Sequence, residues 1–483
     1  MRRITRALAV AVSLILLGTL AAGNMTAQVL ASEQAPADTA EKPESEMTEE
    51  EKKAKEEKEA YEKEIQACYD LPVDSNDWPN WPQGPGTYGY AGIVMDADSG
   101  MILYAKDIDS KRYPASITKV LTALLAFRYG DMSSQVTISK DALACLGSGY
   151  ASIGLKEGNV ITMEQAMYAM LLASANEAAY AVGESVAASQ GQEYDWFIDQ
   201  MNATTTELGG VNSNFINTNG VYDEKHYTCA RDMALIGSAL FDYPQIREIC
   251  QTQQYIIPAS GTVEEHVFQQ KHHMLIVGNK DYDERVVAGK TGYTTEAQNT
   301  LITLADNGER RLVCVVLQTY GGYPYSDTKA LLDYGFDKFQ NLSVEEADTR
   351  GDFAWVEEGA SVTLPEGVGF DQLARQVDLY RDGTDKAIVT YYYEDMTVGT
   401  CEVIVSENYK NQHDITTETE TIVTEPEKEP EPEKEQTTEA EGFFDRYKSL
   451  AVVGAAVLLL FCGVIAMIVT RISRKRKRRR RRR

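Results

Sequence analysis

Three short motifs occur in one order along the chain and together contain the groups that an acyl transfer requires. Ser116 is followed three residues later by Lys119, the second motif is Ser174-Ala-Asn176, and the third is Lys290-Thr-Gly292. A serine hydroxyl is a weak nucleophile and needs an adjacent base. Residues i and i+3 share one face of a helix, so a helical segment would place the two side chains together. The first motif therefore predicts Ser116 as nucleophile and Lys119 as its general base.

The order of the motifs separates them from chance copies. Ser326-Asp-Thr-Lys329 repeats the first spacing and Ser406-Glu-Asn408 repeats the second, but both follow the only K-T-G in the chain. Neither copy can complete an ordered set. Each motif alone has an ordinary structural explanation, such as a helix cap or a surface lysine. The prediction depends on their combination.

The second motif lies between two predicted helices, where polar side chains can enter a cleft. We expect Ser174 to pass a proton to the leaving group. We expect Asn176 to donate to a substrate carbonyl and to hold Lys119 in position.

The third motif lies on or beside a predicted strand, whose edge can pair with an extended peptide. Lys290 offers a positive charge and Thr291 a hydroxyl, which together suit a carboxylate. Gly292 has no side chain, so a substrate can approach the backbone closely. We expect the backbone N–H groups of Ser116 and Tyr293 to form an oxyanion hole.

Hydrophobic periodicity predicts the elements that must position these residues. Strands are predicted at 88–94 and 101–105, and a helix begins at Ser116, after which apolar residues recur at helical spacing. The further predictions are helices at 162–172, 176–187, 193–208 and 230–241, strands at 285–288, 300–305 and 312–318, and a closing helix at 327–339. This pattern favours an α+β domain with helices grouped against a sheet.

Longer stretches around the three motifs resemble one known family. They are Pro114-Ala-Ser-Ile-Thr-Lys119, Gly154-Leu-Lys-Glu-Gly158, Phe215-Ile-Asn-Thr-Asn-Gly220, Thr228-Cys-Ala-Arg-Asp-Met233 and Gly289-Lys-Thr-Gly-Tyr-Thr294. The ordered trio itself is shared by class A β-lactamases and penicillin-binding proteins. From about residue 86 to 339 the chain resembles the low-molecular-weight penicillin-binding proteins that act as serine-type D-alanyl-D-alanine carboxypeptidases.

The resemblance implies a β-lactamase/transpeptidase-like α+β fold, with an antiparallel sheet and a helical cluster. It implies that Ser116 forms an acyl-enzyme with the penultimate D-alanine of peptidoglycan stem peptides ending in D-Ala-D-Ala, which limits cell-wall cross-linking. β-Lactams would acylate Ser116 and leave slowly. The chain departs from the family at Ala175, where glycine is common, and at Glu296-Ala-Gln-Asn299, where Ala-Gly-Phe is common. Neither departure changes a reacting group, so both bear on substrate preference and not on the class of reaction.

Two other functions remain open at this point. A β-lactamase would share Ser116 and Lys119, but class A enzymes use a glutamate for deacylation, and no convincing E-x-x-L-N follows Ser174. A catalytically retired, wall-binding sensor is the second alternative. Such a protein would have no chemical need to retain Ser116, Lys119, Ser174 and Lys290 together.

The two ends of the chain predict an exported protein with a membrane anchor. Residues 1–31 have the arginines, apolar run and small residues of a signal peptide, with an uncleaved N-terminal anchor as the alternative. Residues 449–470 are apolar and long enough to cross a bilayer. The basic tail 471–483 would remain in the cytoplasm by the positive-inside rule. We therefore expect a single-pass protein in the cell membrane with an extracytoplasmic catalytic domain.

Four segments are predicted between these ends. Residues 32–76 form an acidic, charged spacer in which Thr48-Glu-Glu-Glu51 reads as a helix capping box. Residues 77–345 form the catalytic domain and 350–412 a small β-rich domain. Residues 413–446, rich in Pro, Glu and Thr, cannot bury a core and form a linker.

Charge and cysteine content exclude some partners. The chain carries a formal net charge of −26, and all of its 73 acidic residues lie between the two ends, which argues against nucleic acid as a partner. The seven cysteines form no C-x-x-C pair, so we expect no zinc site and no other cofactor. Their spacing leaves disulfide pairing open.

Overall fold

A computed structural model describes residues 47–413 of the chain. Several predicted segments lie outside the described residues: 1–31, the first part of the spacer, the linker 413–446 apart from its first residue, 449–470 and 471–483. Across residues 47–413, no helix is both long enough and apolar enough to cross a bilayer.

The strands and helices are numbered here in chain order. The strands are β1 Gly89–Asp96, β2 Ile102–Lys106, β3 Gln135–Thr137, β4 Val160–Thr162, β5 Gln254–Ile257, β6 His266–Gln269, β7 Val286–Thr294, β8 Gln298–Asp306, β9 Arg311–Thr319, β10 Phe339–Ser343, β11 Phe353–Val356, β12 Ser361–Pro365, β13 Ala374–Leu379, β14 Lys386–Tyr393 and β15 Met396–Val405. The helices are α1 Glu49–Tyr69, α2 Thr118–Tyr129, α3 Lys140–Ala144, α4 Met163–Leu171, α5 Asn176–Ser189, α6 Tyr194–Glu207, α7 Ala230–Ala239, α8 Pro244–Gln251, α9 Pro324–Asp337, α10 Val344–Ala347 and α11 Glu407–Gln412.

The catalytic region is built on an antiparallel sheet with strand order β2-β1-β9-β8-β7. Helices cover both of its faces. Gly335 of α9 comes close to Leu312 of β9, and Gly237 of α7 comes close to Val313, the next residue along the same strand. Neighbouring strand residues point to opposite faces, so α7 and α9 pack on opposite sides. The predicted α+β arrangement of antiparallel sheet and helices is confirmed.

Helix α2 is the centre of the helical cluster. Residues 118–126 are buried without interruption, as expected of a helix that is surrounded by protein on every side. Helices α5, α6 and α7 pack around it, and β3–β4 and β5–β6 form two separate two-stranded sheets. This burial sets the environment of Lys119 in the first turn of α2.

The predicted capping box at Thr48 is present and begins α1, in which Thr48 and Glu51 bond each other's backbone N–H. The first three turns of α1 are exposed, and its last two turns pack on the catalytic region. The Lys106 ammonium, fully buried at the end of β2, donates to the Cys68 carbonyl over 2.7 Å. A cation at this position suits the negative end of the helix dipole.

The C-terminal part of the described chain is rich in β-structure. Strand β10 pairs with β12, and a second antiparallel sheet has the order β11-β15-β14-β13. Ser99, in the turn between β1 and β2, bonds Thr363 of β12 through their hydroxyls at 2.6 Å. The six cysteines in residues 47–413 are free thiols.

Candidate active site

Ser116 lies in a short 3-10 turn, Ala115–Ile117, directly before α2. Ala115 has a positive φ of 49°, a conformation that is costly for a residue with a side chain. Two contacts hold it: Thr118 Oγ1 donates to Ala115 O over 2.9 Å, and Gly220 packs so closely that a β-carbon there would collide with the same oxygen. Ser116, the predicted nucleophile, therefore lies on a strained turn that its surroundings keep in one conformation.

Lys119 Nζ is the centre of the site. It lies 2.9 Å from Ser116 Oγ, 2.7 Å from Asn176 Oδ1 and 2.6 Å from the backbone oxygen of Asn219. The side chain is completely buried. The amide and backbone oxygens can only accept hydrogen bonds. A neutral amine would satisfy both with its two N–H bonds, which leaves its lone pair facing the Ser116 hydroxyl.

The surroundings of Lys119 favour the neutral amine. Burial lowers the pKa of Lys119 well below its usual value, and the positive charge of Lys290 lowers it further. The charge of Lys271 acts in the same direction, while Glu177 opposes it. Loss of the proton turns Lys119 from a hydrogen-bond donor into a base.

The second motif occupies the junction between α4 and α5. Asn176 is the first residue of α5, whereas Ser174 has a positive φ of 63° and is buried in the bend before it. Among residues 47–413, no protein group hydrogen-bonds to the Ser174 hydroxyl. It is therefore free to bond a substrate or a leaving group, although the structure joins it directly to neither Ser116 nor Lys119.

The third motif lies on β7, the edge strand of the sheet. Lys290 is buried, and its Nζ donates to Thr291 O over 2.8 Å. Burial lowers the pKa of Lys290 to about 7, with a smaller contribution from the charge of Lys271. An approaching carboxylate would favour the charged form of Lys290.

Gly292 brings the edge strand against the nucleophile. A β-carbon at this position would lie 2.9 Å from the backbone nitrogen of Ser116 and would collide with Thr300 Oγ1. Thr300 in turn donates to Pro114 O over 2.8 Å, which ties β8 to the segment before the nucleophile. The N–H of Ser116 and the strand that carries Tyr293 are thus neighbours, as an oxyanion hole requires.

The structure adds two groups to the site that the sequence analysis did not assign. The Asn219 carbonyl binds Lys119, and Lys271 Nζ donates to Ala173 O over 2.7 Å, next to Ser174. Every residue has a backbone carbonyl, so the type of residue at 219 does not reveal this contact. Only the resemblance of residues 215–220 to the family indicated that Asn219 lies near the site. Lys271 belongs to no motif, and the sequence carried no signal for it.

Comparison with known proteins agrees with this geometry. The family model described as D-alanyl-D-alanine carboxypeptidase (peptidase S11) matches residues 83–321. The chain is 30% identical over 261 residues to D-alanyl-D-alanine carboxypeptidase DacF of Bacillus subtilis (strain 168), which is 51% of this chain and 62% of that relative. It is also 30% identical over 308 residues to the carboxypeptidase DacC of Escherichia coli (strain K12), which is 59% of this chain and 73% of that relative. The match to the first of these relatives spans less than two thirds of its length.

Among solved structures, the D-alanyl-D-alanine carboxypeptidase DacD from Francisella tularensis has a similar fold. Its TM-score is 0.52 at 18% identity, and the match covers 68% of this chain and 95% of that one. Sequence, site and fold lead to the same assignment: the chain belongs to the D-alanyl-D-alanine carboxypeptidase family, peptidase family S11.

Proposed function

We propose that the protein is a serine-type D-Ala-D-Ala carboxypeptidase that removes the terminal D-alanine from peptidoglycan stem peptides. The observation that carries this proposal is the triple contact of Lys119 Nζ with Ser116 Oγ, Asn176 Oδ1 and Asn219 O. It supplies a buried base in contact with a nucleophile, beside an edge strand that can pair with a peptide.

In the acylation step, Ser116 Oγ attacks the carbonyl carbon of the penultimate D-alanine while Lys119 accepts the hydroxyl proton. The negative charge on the substrate oxygen is bound by the N–H groups of Ser116 and Tyr293. The peptide bond then breaks as the leaving amine takes a proton from the Ser174 hydroxyl. Ser174 is reprotonated at the expense of the Lys119 ammonium, which it does not contact directly in the free enzyme. One D-alanine is released and the shortened peptide remains as an ester on Ser116.

In the deacylation step, water attacks this ester, Lys119 accepts a proton from the water, and Ser116 recovers its own. During the preceding acylation step, Lys290 and Thr291 bind the carboxylate of the terminal D-alanine until that residue leaves. A β-lactam carries a similar carboxylate and an acylating carbonyl. We therefore expect β-lactams to acylate Ser116 and to remain attached.

The test measures D-alanine release from a peptide ending in D-Ala-D-Ala, with Ser116→Ala and Lys119→Met as comparison variants. We expect release by the wild type, none by Ser116→Ala, and at least about a hundredfold slower acylation in Lys119→Met, because a general base typically contributes this much. Wild-type protein as silent as Ser116→Ala would support the sensor. Labelled penicillin hydrolysed rapidly, without a trapped adduct, would support the β-lactamase.

We also propose that the enzyme is exported and held in the cell membrane by residues 449–470, with its catalytic domain outside. The apolar run and the basic tail after it support this proposal. Labelled penicillin added to intact cells should reach the full-length protein in the membrane fraction. Deletion of residues 449–483 should release labelled protein into the medium. Retention of the full-length protein inside the cell, where added penicillin does not label it, would contradict the proposal.

A further inference from the structure

The packed end of α1 crosses the catalytic sheet in the direction of the active site. The Cys68 carbonyl is bonded by Lys106 of β2. One turn earlier, Glu64 accepts from the Tyr90 hydroxyl of β1 over 3.1 Å. Tyr61 accepts from the N–H of Gly321, which follows β9, over 2.7 Å. From Cys68 to Tyr61, the helix therefore follows the order of the strands toward β7. The exposed turns of α1 continue beyond Tyr61.

Tyr61 reaches the neighbourhood of Tyr293, the residue that follows the K-T-G. The phenol oxygen of Tyr61 accepts from the N–H of Gly321, in the segment after β9. The carbonyl of the same glycine accepts over 2.8 Å from Asn299, which is paired with Tyr293 across β7 and β8. Gly321 is therefore held against this strand pair. Tyr320 packs edge-on against Tyr61 with the ring centres 5.7 Å apart.

The part of a bound stem peptide that precedes D-Ala-D-Ala would extend toward Tyr61 and Tyr293. A bound stem peptide has its terminal carboxylate at Lys290 and Thr291 and its reacting carbonyl at Ser116 and the Tyr293 N–H. The residues that precede D-Ala-D-Ala must then continue past Tyr293 toward the end of β7. That is the end of the sheet at which Tyr61 stands.

Both phenols are accessible to such a peptide. Tyr61 is 42% exposed and Tyr293 is 50% exposed, although the oxygen of Tyr61 is held by the N–H of Gly321. Helix α1 precedes the residues that the family model matches, which begin at residue 83. It therefore lies outside the part of the chain that the family model matches.

We propose that Tyr61 of α1 and Tyr293 together contact the part of the stem peptide that precedes D-Ala-D-Ala, so that α1 forms a wall of the substrate cleft. The inference rests on the proposed carboxypeptidase function. Tyrosine suits this role because a large, rigid ring with a polar end contacts a peptide at little entropic cost. Tyr61 acts as a specificity residue and takes no part in bond breaking.

The experiment compares two probes on the full chain: diacetyl-L-lysyl-D-alanyl-D-alanine, and a pentapeptide with three residues before D-Ala-D-Ala. The quantity measured is the ratio of kcat/KM for the pentapeptide to kcat/KM for the short probe. We expect Tyr61→Ala to lower this ratio about fivefold, mainly through KM for the pentapeptide, since one aromatic contact is typically worth this much. Tyr61→Phe, which keeps the ring, should recover most of the loss.

Tyr380→Ala is the matched control, because Tyr380 is a similarly exposed tyrosine directly after β13; it should leave the ratio unchanged. The rate of labelling by penicillin reports whether each variant is folded. If Tyr61→Ala leaves the ratio as it is, or if Tyr61→Phe loses as much as Tyr61→Ala, the proposed wall is wrong while the carboxypeptidase function stands. If the wild type releases D-alanine from neither probe, both proposals fail.

Discussion

At the scale of single residues, the reactivity of Ser116 depends on the protonation state of Lys119. Burial and the charge of Lys290 hold the pKa of Lys119 well below its usual value. The base is the neutral amine, so acylation should be slow at low pH and should rise as the pH passes through the lowered pKa. The same pKa shift would let Ser116 react at a pH at which an ordinary lysine is almost fully protonated.

The check is the rate of Ser116 acylation by labelled penicillin as a function of pH. We expect the rate to reach its plateau well before the pH of about 10.4 at which an unperturbed lysine titrates. Unfolding at the extremes should be followed separately by circular dichroism. A rate that still climbs steeply near that pH would mean that Lys119 is not the group whose deprotonation limits acylation.

Gly292 makes a second prediction at the residue scale. A β-carbon at this position would press on the backbone nitrogen of Ser116 and collide with Thr300 Oγ1. Gly292→Ala should therefore displace β7 from the nucleophile and slow acylation about a hundredfold, the typical effect of losing an oxyanion-hole donor. Gly261→Ala is the control, because a β-carbon there meets no atom within 4 Å. Equal acylation rates for the two variants would contradict the close approach.

At the scale of elements, α1 depends on one buried cation at its C-terminal end. Lys106 Nζ donates to Cys68 O and to Thr87 O, each over 2.7 Å, and burial lowers its pKa to about 8. Replacing it with an apolar residue removes this donor from Thr87 O and leaves Cys68 O with the longer bond from the Leu71 N–H at 3.3 Å. Each buried polar group left unpaired costs about 1–3 kcal/mol.

We predict that Lys106→Met loosens the packed end of α1. Amide hydrogen exchange should become faster over residues 61–70, with a smaller change in α2, which Lys106 does not contact. Lys53→Met, in the exposed part of α1, is the matched control and should leave the exchange of residues 61–70 nearly unchanged. Unaltered protection of these residues in Lys106→Met would show that the tyrosine contacts alone hold the helix.

At the scale of the whole molecule, Arg310 joins the catalytic sheet to the β-rich C-terminal part. Its guanidinium donates to the carbonyls of Gly335 and Phe339, and its Nε lies 3.8 Å from Asp96 Oδ2. Asp96 is fully buried and also accepts from Asn341 over 3.3 Å. The junction is therefore a buried polar cluster that loses its only cation if Arg310 is removed.

We predict that Arg310→Met lowers the free energy of unfolding by about 3 kcal/mol, because it removes the donor to two buried carbonyls and the positive charge beside the buried Asp96 carboxylate. Arg311→Met is the neighbouring control: Arg311 pairs with Asp98 at the surface, and such pairs contribute less than about 1 kcal/mol. Urea unfolding monitored by fluorescence measures both. A loss in Arg310→Met no larger than in Arg311→Met would contradict the role of the cluster.

Much of the catalytic region could be predicted from local sequence pattern. The helix predicted at 176–187 is α5, and the strands predicted at 300–305 and 312–318 are the centres of β8 and β9. These segments have strong periodicity or turn residues at their ends. The strand predicted at 285–288 proved much longer, because β7 continues through Lys290 to Thr294. Its glycines obscure the strand pattern, and pairing with β8 stabilises it.

The sequence by itself determined which reactive groups the protein carries, in what order, and that Lys119 follows Ser116 at helical spacing. Tertiary structure decided that the pKa of Lys119 is lowered, because only folding buries it and brings Lys290 and the Asn219 carbonyl, 100 residues away, to its amine. It also decided that the last turns of α1 pack on the catalytic region. Burial and contacts between distant residues set the energy of a charge, and neither can be read from the spacing of residue types along the chain.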